Sequence, residues 1–307
     1  MTLHTRYRPQ SWKEVVGQSA VKRSFSEALK KGTSRAFLLV GPSGTGKTTC
    51  ARIAAREVGC ADGSITEIDA ATFTGIDDMR VVTNGLQYRP LNGERKAIIL
   101  DEAHRLSAAA WASLLKSIEE PPPWVYWFLC TTELGKVPAT IQTRCTRYEL
   151  EPCATDAIYD LLADVARKEK LQGSEGVLEL CAKRAQGSPR QALVNLGAVA
   201  SAASPEDARA LLRAVEGSKT VIDLCRALLD RKPWASVLPI LNDLKDQNGE
   251  SIRHAIREYM TKVALGAKEP KRAGNAIEIL DEFSTPFPSG DGISPVVVAV
   301  GRLTLGE

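Results

Sequence analysis

The sequence of 307 residues predicts an α/β domain built on a parallel sheet, followed by helical domains. A glycine-rich loop at residues 41–48 lies between a strand pattern and a helical pattern. A second apolar run, residues 97–100, ends in the adjacent carboxylates Asp101 and Glu102. Beyond Pro152, apolar residues recur at the 3.6-residue spacing of helices. A chain of this length is expected to form two or three domains.

The loop at residues 41–48, Gly-Pro-Ser-Gly-Thr-Gly-Lys-Thr, matches the pattern GxxxxGK[ST] at every defined position. Its flanks fit as well, because residues 36–40 are typical of a buried strand and residues 48–58 of a helix. Glycine permits the close approach of backbone amides to phosphate oxygens, and the following helix adds its positive N-terminal dipole. Lys47 would contact the β- and γ-phosphates, and Thr48 would bind Mg²⁺. We predict a nucleotide phosphate site; the alternative is a turn without a ligand.

The strand at residues 97–100 is followed by Asp101-Glu102-Ala103-His104 and then by a helical pattern at residues 106–118. This order is typical of a Walker B element, in which Asp101 binds Mg²⁺ and Glu102 orients or deprotonates the attacking water. The alternative for the two carboxylates is a helix cap. A lone histidine is more often structural than catalytic, so we interpret His104 as structural.

Two further segments carry polar residues that suit a phosphate. The apolar strand at residues 124–130 is followed by Thr131 and Thr132, which mark either a phosphate sensor or a plain strand end. Ser188 and the proline after it form a helix-start pattern. Arg190 then lies in the positive first turn of that helix, which is unfavourable unless an anion binds there. Arg190 is therefore a candidate phosphate contact.

Composition and charge exclude little. The net charge is +3, so nucleic-acid binding would need a local basic patch. No apolar run approaches the length of a membrane span, and no signal sequence is evident, so we expect a cytoplasmic protein without membrane contact. The seven cysteines include no CxxC pair, which argues against structural zinc and disulfides.

Taken together, these motifs resemble those of the AAA+ clamp-loader ATPases. The resemblance is to the bacterial DNA polymerase III gamma/tau subunit and to phage and replication-factor-C small subunits. It covers roughly the first 200 residues. Besides the loop and the Walker B element, it is carried by Tyr7-Arg8-Pro9, Val15-Val16-Gly17-Gln18, Leu114-Leu115-Lys116-Ser117-Ile118-Glu119-Glu120-Pro121-Pro122, Thr143-Arg144-Cys145 and Gly187-Ser188-Pro189-Arg190.

The resemblance implies a site for ATP and Mg²⁺. Thr132 would be the first γ-phosphate sensor and Arg190 the second, and Arg144 would act as an arginine finger on ATP in a neighbouring subunit. The alternative for Arg144 is a surface arginine before the strand at residues 146–150. The implied adenine pocket consists of Tyr7, Arg8, Pro9, Val16 and Gly17. The implied phosphate and magnesium residues are Gly41, Pro42, Ser43, Gly44, Thr45, Gly46, Lys47, Thr48, Thr49 and Asp101.

The family also implies contacts with DNA and with a clamp. Arg80 and Lys116 would contact DNA phosphates without reading sequence, although each also suits a solvated helix face. Leu86, Gln87 and Tyr88 correspond to the edge that meets the clamp; alternatively, Leu86 and Tyr88 pack in the core. In the family order, residues 1–151 form the nucleotide-binding domain, 152–217 a helical lid and 218–307 a helical collar, with the second boundary between 215 and 220.

Two departures from the family pattern stand out. Of the four-cysteine zinc module of the gamma/tau subunit only Cys60 remains, so no zinc is expected. Thr143 replaces the serine before Arg144. The implied function is the ATP-hydrolysing subunit of a heteropentameric loader that places a sliding clamp on primed DNA in a bacterial or phage-infected cell. The alternatives are a non-hydrolysing structural subunit of the loader and a homo-oligomeric AAA+ ATPase that remodels DNA.

Overall fold

A computed structural model describes residues 2–73, 75–90, 92–171, 174–202, 204–267, 269–287 and 292–305; within residues 213–218 it describes the backbone alone. The chain divides into two compact units, Met1–Ala208 and Arg209–Glu307.

The first unit is built on a parallel sheet of five strands in the order β2-β3-β4-β1-β5. The strands are β1 (Ala36–Val40), β2 (Cys60–Asp69), β3 (Arg95–Asp101), β4 (Val125–Thr131) and β5 (Thr146–Glu149). Because every strand runs in the same direction, the ends of β1, β3 and β4 lie together at one edge of the sheet. The predicted α/β class is confirmed.

The strands β1 and β4 are apolar except for Thr131, because both faces of the sheet are covered there. All residues of β1 and β4 are buried. Successive side chains face opposite sides, so Leu38 and Leu129 enter one core while Phe37 and Phe128 enter the other. The phenylalanine rings stack with centroids 5.5 Å apart.

Helices cover the sheet, and further helices follow the last strand in the same unit. They are α1 (Leu3–Arg6), α2 (Ser19–Lys31), α3 (Lys47–Glu57), α4 (Ile76–Gly85), α5 (Ala108–Glu119), α6 (Ala139–Gln142), α7 (Thr155–Glu169), α8 (Glu175–Arg184) and α9 (Pro189–Ala198). Short 3₁₀ turns occur at Ala103–Arg105 and Leu134–Lys136. The hydroxyl of Ser188 accepts a hydrogen bond from the amide of Gln191 and so caps α9, as the sequence predicts.

The second unit is helical around its own apolar core. Its helices are the later part of α10 (Pro205–Leu229), then α11 (Trp234–Asp243), α12 (Gly249–Gly266), α13 (Pro270–Glu282) and α14 (Ser294–Leu305). The backbone of α10 is helical through residues 215–220, where a domain boundary is predicted. Among the described residues, no helix has the length and hydropathy needed to cross a bilayer.

Candidate functional site

The loop at residues 41–48 connects β1 to α3 and has the geometry that its glycines allow. Gly41 donates its amide proton to Thr131 O at 3.2 Å, which attaches the loop to the end of β4. A Cβ atom on Gly41 would lie 2.2 Å from Leu150 O, so a larger residue would require the backbone to move. Gly44 has a φ of +78°, and a Cβ atom there would lie 2.1 Å from Ser188 Oγ. The N-terminus of α9 therefore lies directly against the loop.

Lys47 begins α3 and is buried, with 5% of its surface exposed. Its Nζ donates hydrogen bonds to Gly41 O at 2.8 Å and Pro42 O at 2.9 Å. Burial lowers the pKa of Lys47, whereas the nearby carboxylates Glu102 and Asp101 act in the opposite direction. The ammonium group is thus held inside the loop, where phosphate would be expected.

Asp101 and Glu102 point in different directions although they are adjacent. Thr48 donates its hydroxyl proton to Asp101 Oδ2 at 2.8 Å, which places two oxygen ligands together at the start of α3. Glu102 has a left-handed backbone, with φ +48°, and its amide donates to Asp101 Oδ1 at 3.1 Å. Oxygen ligands of this kind are what Mg²⁺ prefers, so Thr48 and Asp101 fit the predicted magnesium site.

The side chain of Glu102 lies on the side of β4. Thr132 donates its hydroxyl proton to Glu102 Oε2 at 3.2 Å. His104 Nδ1 lies 3.4 Å from the same oxygen, and His104 Nε2 lies 3.3 Å from Glu133 Oε1. The structure therefore brings Thr132 together with Glu102. It also adds His104, whose contacts a single histidine in the sequence does not reveal.

A cavity of about 190 Å³ lies beside the loop, entirely within the first unit. Most of the predicted nucleotide residues line it. They are Tyr7, Arg8, Pro9, Val16, Ser43, Gly44, Thr45, Gly46, Lys47, Thr48, Thr49, Asp101, Glu102 and Arg190. Lining residues not predicted from the sequence include His4, Thr5, Glu14, Leu161 and Leu193. Leu161 and Leu193 lie on helices whose apolar spacing equally suits packing within the core, so no sequence signal distinguishes them.

Other predicted site residues do not line the cavity: Gly17, Gly41, Pro42, Thr132 and Arg144. Gly41 and Pro42 supply the carbonyl groups bound by Lys47, and Thr132 contacts Glu102. A Cβ atom on Gly17, where φ is +63°, would lie 3.2 Å from Cys153 Sγ. These four residues do not line the cavity, and their predicted roles remain predictions.

Side chains of the N-terminal segment contact both α3, which follows the loop, and α7. Arg8 Nε donates to Thr49 Oγ1 at 3.3 Å, and burial lowers the pKa of Arg8. The Tyr7 hydroxyl donates to Glu169 Oε1 at 2.5 Å, and Arg6 makes a 2.6 Å ion pair with the same carboxylate. The hydrogen bond to Glu169 is the main cause of the raised pKa of Tyr7.

Arg144 does not line the cavity and lies two residues after the end of α6. Its Nη1 donates to Thr140 O at 2.7 Å, and its Nε lies 3.0 Å from Glu119 Oε2. The second contact is an ion pair, because the N–H group is not aligned for a hydrogen bond. About a third of the Arg144 side chain is exposed, at 31%. This position is compatible with action on a neighbouring molecule and not with contact to the cavity of its own chain.

The structure resolves how the segment after α4 is oriented. Leu86 is 3% exposed and packs in the core, whereas Tyr88 is 74% exposed. Lys96 donates to Gly85 O at 2.9 Å and Trp124 donates to Leu86 O at 3.1 Å, which holds the end of α4 against the sheet. Leu86 is therefore a core residue, whereas Tyr88 faces outward, and contact of Tyr88 with a clamp stays a prediction.

The predicted DNA residues Arg80 and Lys116 both lie on exposed helix surface. Arg80 makes a 3.2 Å ion pair with Asp77 one turn earlier in α4. In the part of the chain that the structure describes, there is no group of three His, Cys, Asp or Glu side chains arranged for a metal ion.

Comparisons with known proteins agree with these features. A profile of the family described as "DNA polymerase III, delta subunit" matches residues 65–154. The tau subunit of DNA polymerase III from Bacillus subtilis is 35% identical over 271 residues, covering 80% of this chain and 48% of the relative. A gamma subunit from Buchnera aphidicola is 33% identical over 213 residues, covering 62% of this chain and 58% of the relative. The chain thus spans about half the length of the curated relatives it matches.

Solved structures with the same fold include RuvB from Thermotoga maritima, described as a Holliday junction branch migration motor. That structure has a TM-score of 0.57 at 19% identity and covers 86% of this chain and 94% of its own. A variant of the same RuvB with one substitution has a TM-score of 0.58 at 18% identity, with the same coverage of both chains. At this level of identity, the likeness shows the AAA+ fold alone.

Proposed function

Because the chain belongs to the AAA+ proteins that include the gamma and tau subunits of bacterial DNA polymerase III, we propose that it is the ATP-hydrolysing subunit of a sliding-clamp loader. Its role would be to open a processivity clamp and place it on primed DNA. Such a role belongs in the cytoplasm, where the chromosome is replicated.

The observation that carries the proposal is the divergence of the two carboxylates after β3. Asp101 accepts a hydrogen bond from Thr48 at the start of α3, and Glu102 accepts a hydrogen bond from Thr132 just after β4. This separation supports a metal-binding role for Asp101 and a role for Glu102 as the acceptor of a proton from water. A loader subunit that has lost hydrolysis would not need this arrangement, so it argues for the hydrolysing type.

Each residue of the site would have a separate role in ATP binding or hydrolysis. Lys47 and the loop amides would bind the phosphates, and Arg190 would contact them from the first turn of α9. Bound Mg²⁺, held by Thr48 and Asp101, would neutralise charge on the β- and γ-phosphates. Glu102 would orient the attacking water and take up its proton. The cavity wall formed by Tyr7, Arg8, Pro9 and Val16 would hold adenine.

Completion of the site requires a second subunit. Arg144 lies outside the cavity of its own chain and is partly exposed. We therefore assign Arg144 to the ATP of a neighbouring subunit, in a heteropentameric loader. The exposed residues Gln87 and Tyr88 would meet the clamp, and Arg80 and Lys116 would contact the phosphates of primer-template DNA.

The decisive experiment compares Arg144→Ala with Arg147→Ala in a loader reconstituted with its clamp and primed DNA. Arg147 is a suitable control because it is an exposed arginine on β5 that pairs with Glu149. We expect Arg144→Ala to lower DNA-stimulated kcat by about 10³- to 10⁵-fold, since an arginine finger stabilises charge in the transition state. Nucleotide affinity and the kcat of Arg147→Ala should stay near wild type. An unchanged rate for Arg144→Ala would overturn the shared site.

Two measurements address the other functions. A Lys47→Ala chain that still supported clamp loading would identify a structural subunit that does not need hydrolysis. Native mass spectrometry of the chain with a candidate clamp and partner subunit should show a mixed assembly. A closed homohexamer without partners would instead favour a DNA-remodelling ATPase.

A further inference from the structure

His104 is the one histidine of the chain that contacts a proposed catalytic side chain, within the residues that the structure describes. We infer that His104 is a positioning residue that keeps Glu102 oriented for hydrolysis while Thr132 contacts phosphate. The inference rests on the proposed ATPase function of this site and adds a residue to it.

The position of His104 follows from the ends of two neighbouring strands. β3 and β4 pair in parallel, with Leu100 opposite Leu129, so Glu102 and Thr131 emerge close together. The 3₁₀ turn Ala103–Arg105 then directs the His104 ring back between the two strand ends. Only 6% of the His104 side chain is exposed. The ring is therefore enclosed by the residues that end β3 and follow β4.

The contacts of the ring are polar on both sides. His104 Nδ1 lies 3.1 Å from Thr131 Oγ1 and 3.4 Å from Glu102 Oε2. On the other side, Nε2 lies 3.3 Å from Glu133 Oε1. The hydroxyl of Thr131, which is fully buried, also accepts the amide proton of Glu133 at 3.0 Å. A ring that served only to fill space would not be expected to face two carboxylates.

The hydroxyl of Thr132 explains why Glu102 needs a second partner. A threonine hydroxyl carries one proton and can donate it to one acceptor at a time. Here it donates to Glu102 Oε2. If Thr132 donates instead to a phosphate oxygen, as its proposed sensor role requires, Glu102 loses that bond. His104 Nδ1 is then the remaining side-chain contact of that carboxylate among the described residues.

The two ring nitrogens can be tested separately. Asparagine places its amide near the position of Nδ1, and glutamine places its amide near that of Nε2. We expect His104→Gln and His104→Ala to lower kcat for ATP by about 10- to 100-fold, because Glu102 is no longer held. His104→Asn should stay within about 3-fold of wild type. Nucleotide Kd should change little in all three variants. Tm should fall most in His104→Ala, because that change empties a buried site and removes a partner of Thr131. His254→Gln on α12 is the control.

A second measurement does not depend on activity. The chain has three histidines, so its imidazole C–H resonances can be assigned by substitution. Glu102→Gln should move the His104 resonance and leave that of His254 in place. A non-hydrolysable ATP analogue should also move the His104 resonance, and Thr132→Ala should reduce that movement.

Each outcome decides between the possibilities. An equal decrease of kcat in the asparagine and glutamine variants, a change confined to Kd, or a His104 resonance insensitive to Glu102→Gln would each contradict the inference. If the wild-type assembly itself showed no ATP hydrolysis, the proposed function would fail instead. The two failures are thereby distinguished.

Discussion

The separation of Asp101 from Glu102 depends on one backbone conformation. A left-handed residue other than glycine costs about 1–2 kcal/mol, and here the cost is offset by the bond from the Glu102 amide to Asp101 Oδ1. The conformation turns the Glu102 side chain toward Thr132 while Asp101 stays at Thr48. Strain at this position is therefore tied to the chemistry proposed for it.

Gly44 offers a test of the contact between the loop and α9. We expect Gly44→Ala to lower Tm and nucleotide affinity more than Gly46→Ala. Both glycines have a positive φ, but a Cβ atom at Gly44 meets Ser188 Oγ at 2.1 Å, whereas one at Gly46 meets nothing within 4 Å. Thermal denaturation and titration with a fluorescent nucleotide measure the two effects.

The source of the Gly44 effect can be checked with Ser188→Ala, which removes the clashing oxygen. That change alone should cost about 1 kcal/mol because it removes the cap of α9. The Gly44→Ala and Ser188→Ala double variant should be more stable than the sum of the two changes predicts. If the two effects were strictly additive, α9 and the loop at residues 41–48 would be energetically independent.

The site was partly predictable from the sequence for a simple geometric reason. Strand ends in a parallel sheet meet at one edge, so the loop after β1 and the carboxylates after β3 had to lie together. The role proposed for His104 was not predictable, because its contacts depend on the 3₁₀ turn, on Thr131 at the end of β4 and on Glu133 in the loop after it. The same holds for Glu119 beside Arg144, which requires knowing how α5 and α6 are placed.

At the scale of elements, the strands with long apolar runs and the helices with strong helical spacing were predicted well. β1 matches the expected range, and the helical spacing noted beyond Pro152 corresponds to helices such as α7, α8 and α12. The apolar pattern of α13 is harder to recognise in the sequence, although Pro270 starts the helix and Ala276, Ile279 and Phe283 are buried at helical spacing. Charged residues around these positions dilute the apolar signal, and only packing against α12 makes it clear.

Two charged side chains of α12, Arg253 and Glu250, connect this helix to the segment that follows α13. Arg253 is 5% exposed and donates to Phe283 O at 3.0 Å, and Glu250 accepts from Arg253 and from the amide of Phe287. These hydrogen bonds, that of Arg253 foremost, lower the pKa of Glu250 from 4.5 to about 2.

This pKa shift predicts a specific dependence of stability on acid. Because the pKa of Glu250 is lower in the folded chain, its contribution is complete above about pH 4.5 and is lost as the pH falls toward 2. Glu250→Gln should therefore be less stable than wild type at pH 7, and the two should converge near pH 2. Urea denaturation followed by circular dichroism provides the measurement.

Glu258 on the same helix provides the control, since it pairs with Lys262 at a site where both side chains are more than two-thirds exposed. Exposed pairs of this kind contribute little, so Glu258→Gln should resemble wild type at every pH. If Glu250→Gln and Glu258→Gln behaved alike, the Glu250 network would not stabilise the fold.

At the scale of the whole molecule, DNA binding should come from a few positions because the net charge is only +3. We expect Arg80→Ala and Lys116→Ala to weaken binding of the assembled loader to primed DNA of any sequence. Each should also reduce the slope of log K against log salt by about 1 for every phosphate that the side chain neutralises. Fluorescence anisotropy at several salt concentrations checks this, with Lys262→Ala as the control. Slopes equal to that of the control would assign both residues to solvated helix surface.

The cavity wall has a consequence for synthesis of the protein. Its residues extend from His4 to Leu193, and Glu169 holds Arg6 and Tyr7 from a distance of more than 160 positions along the chain. A ribosome adding about 5–20 residues per second needs roughly 10–40 s to reach Leu193. Nascent chains that end before α9 should therefore be unable to retain ATP. We therefore expect nucleotide binding only after the first unit has been made almost completely.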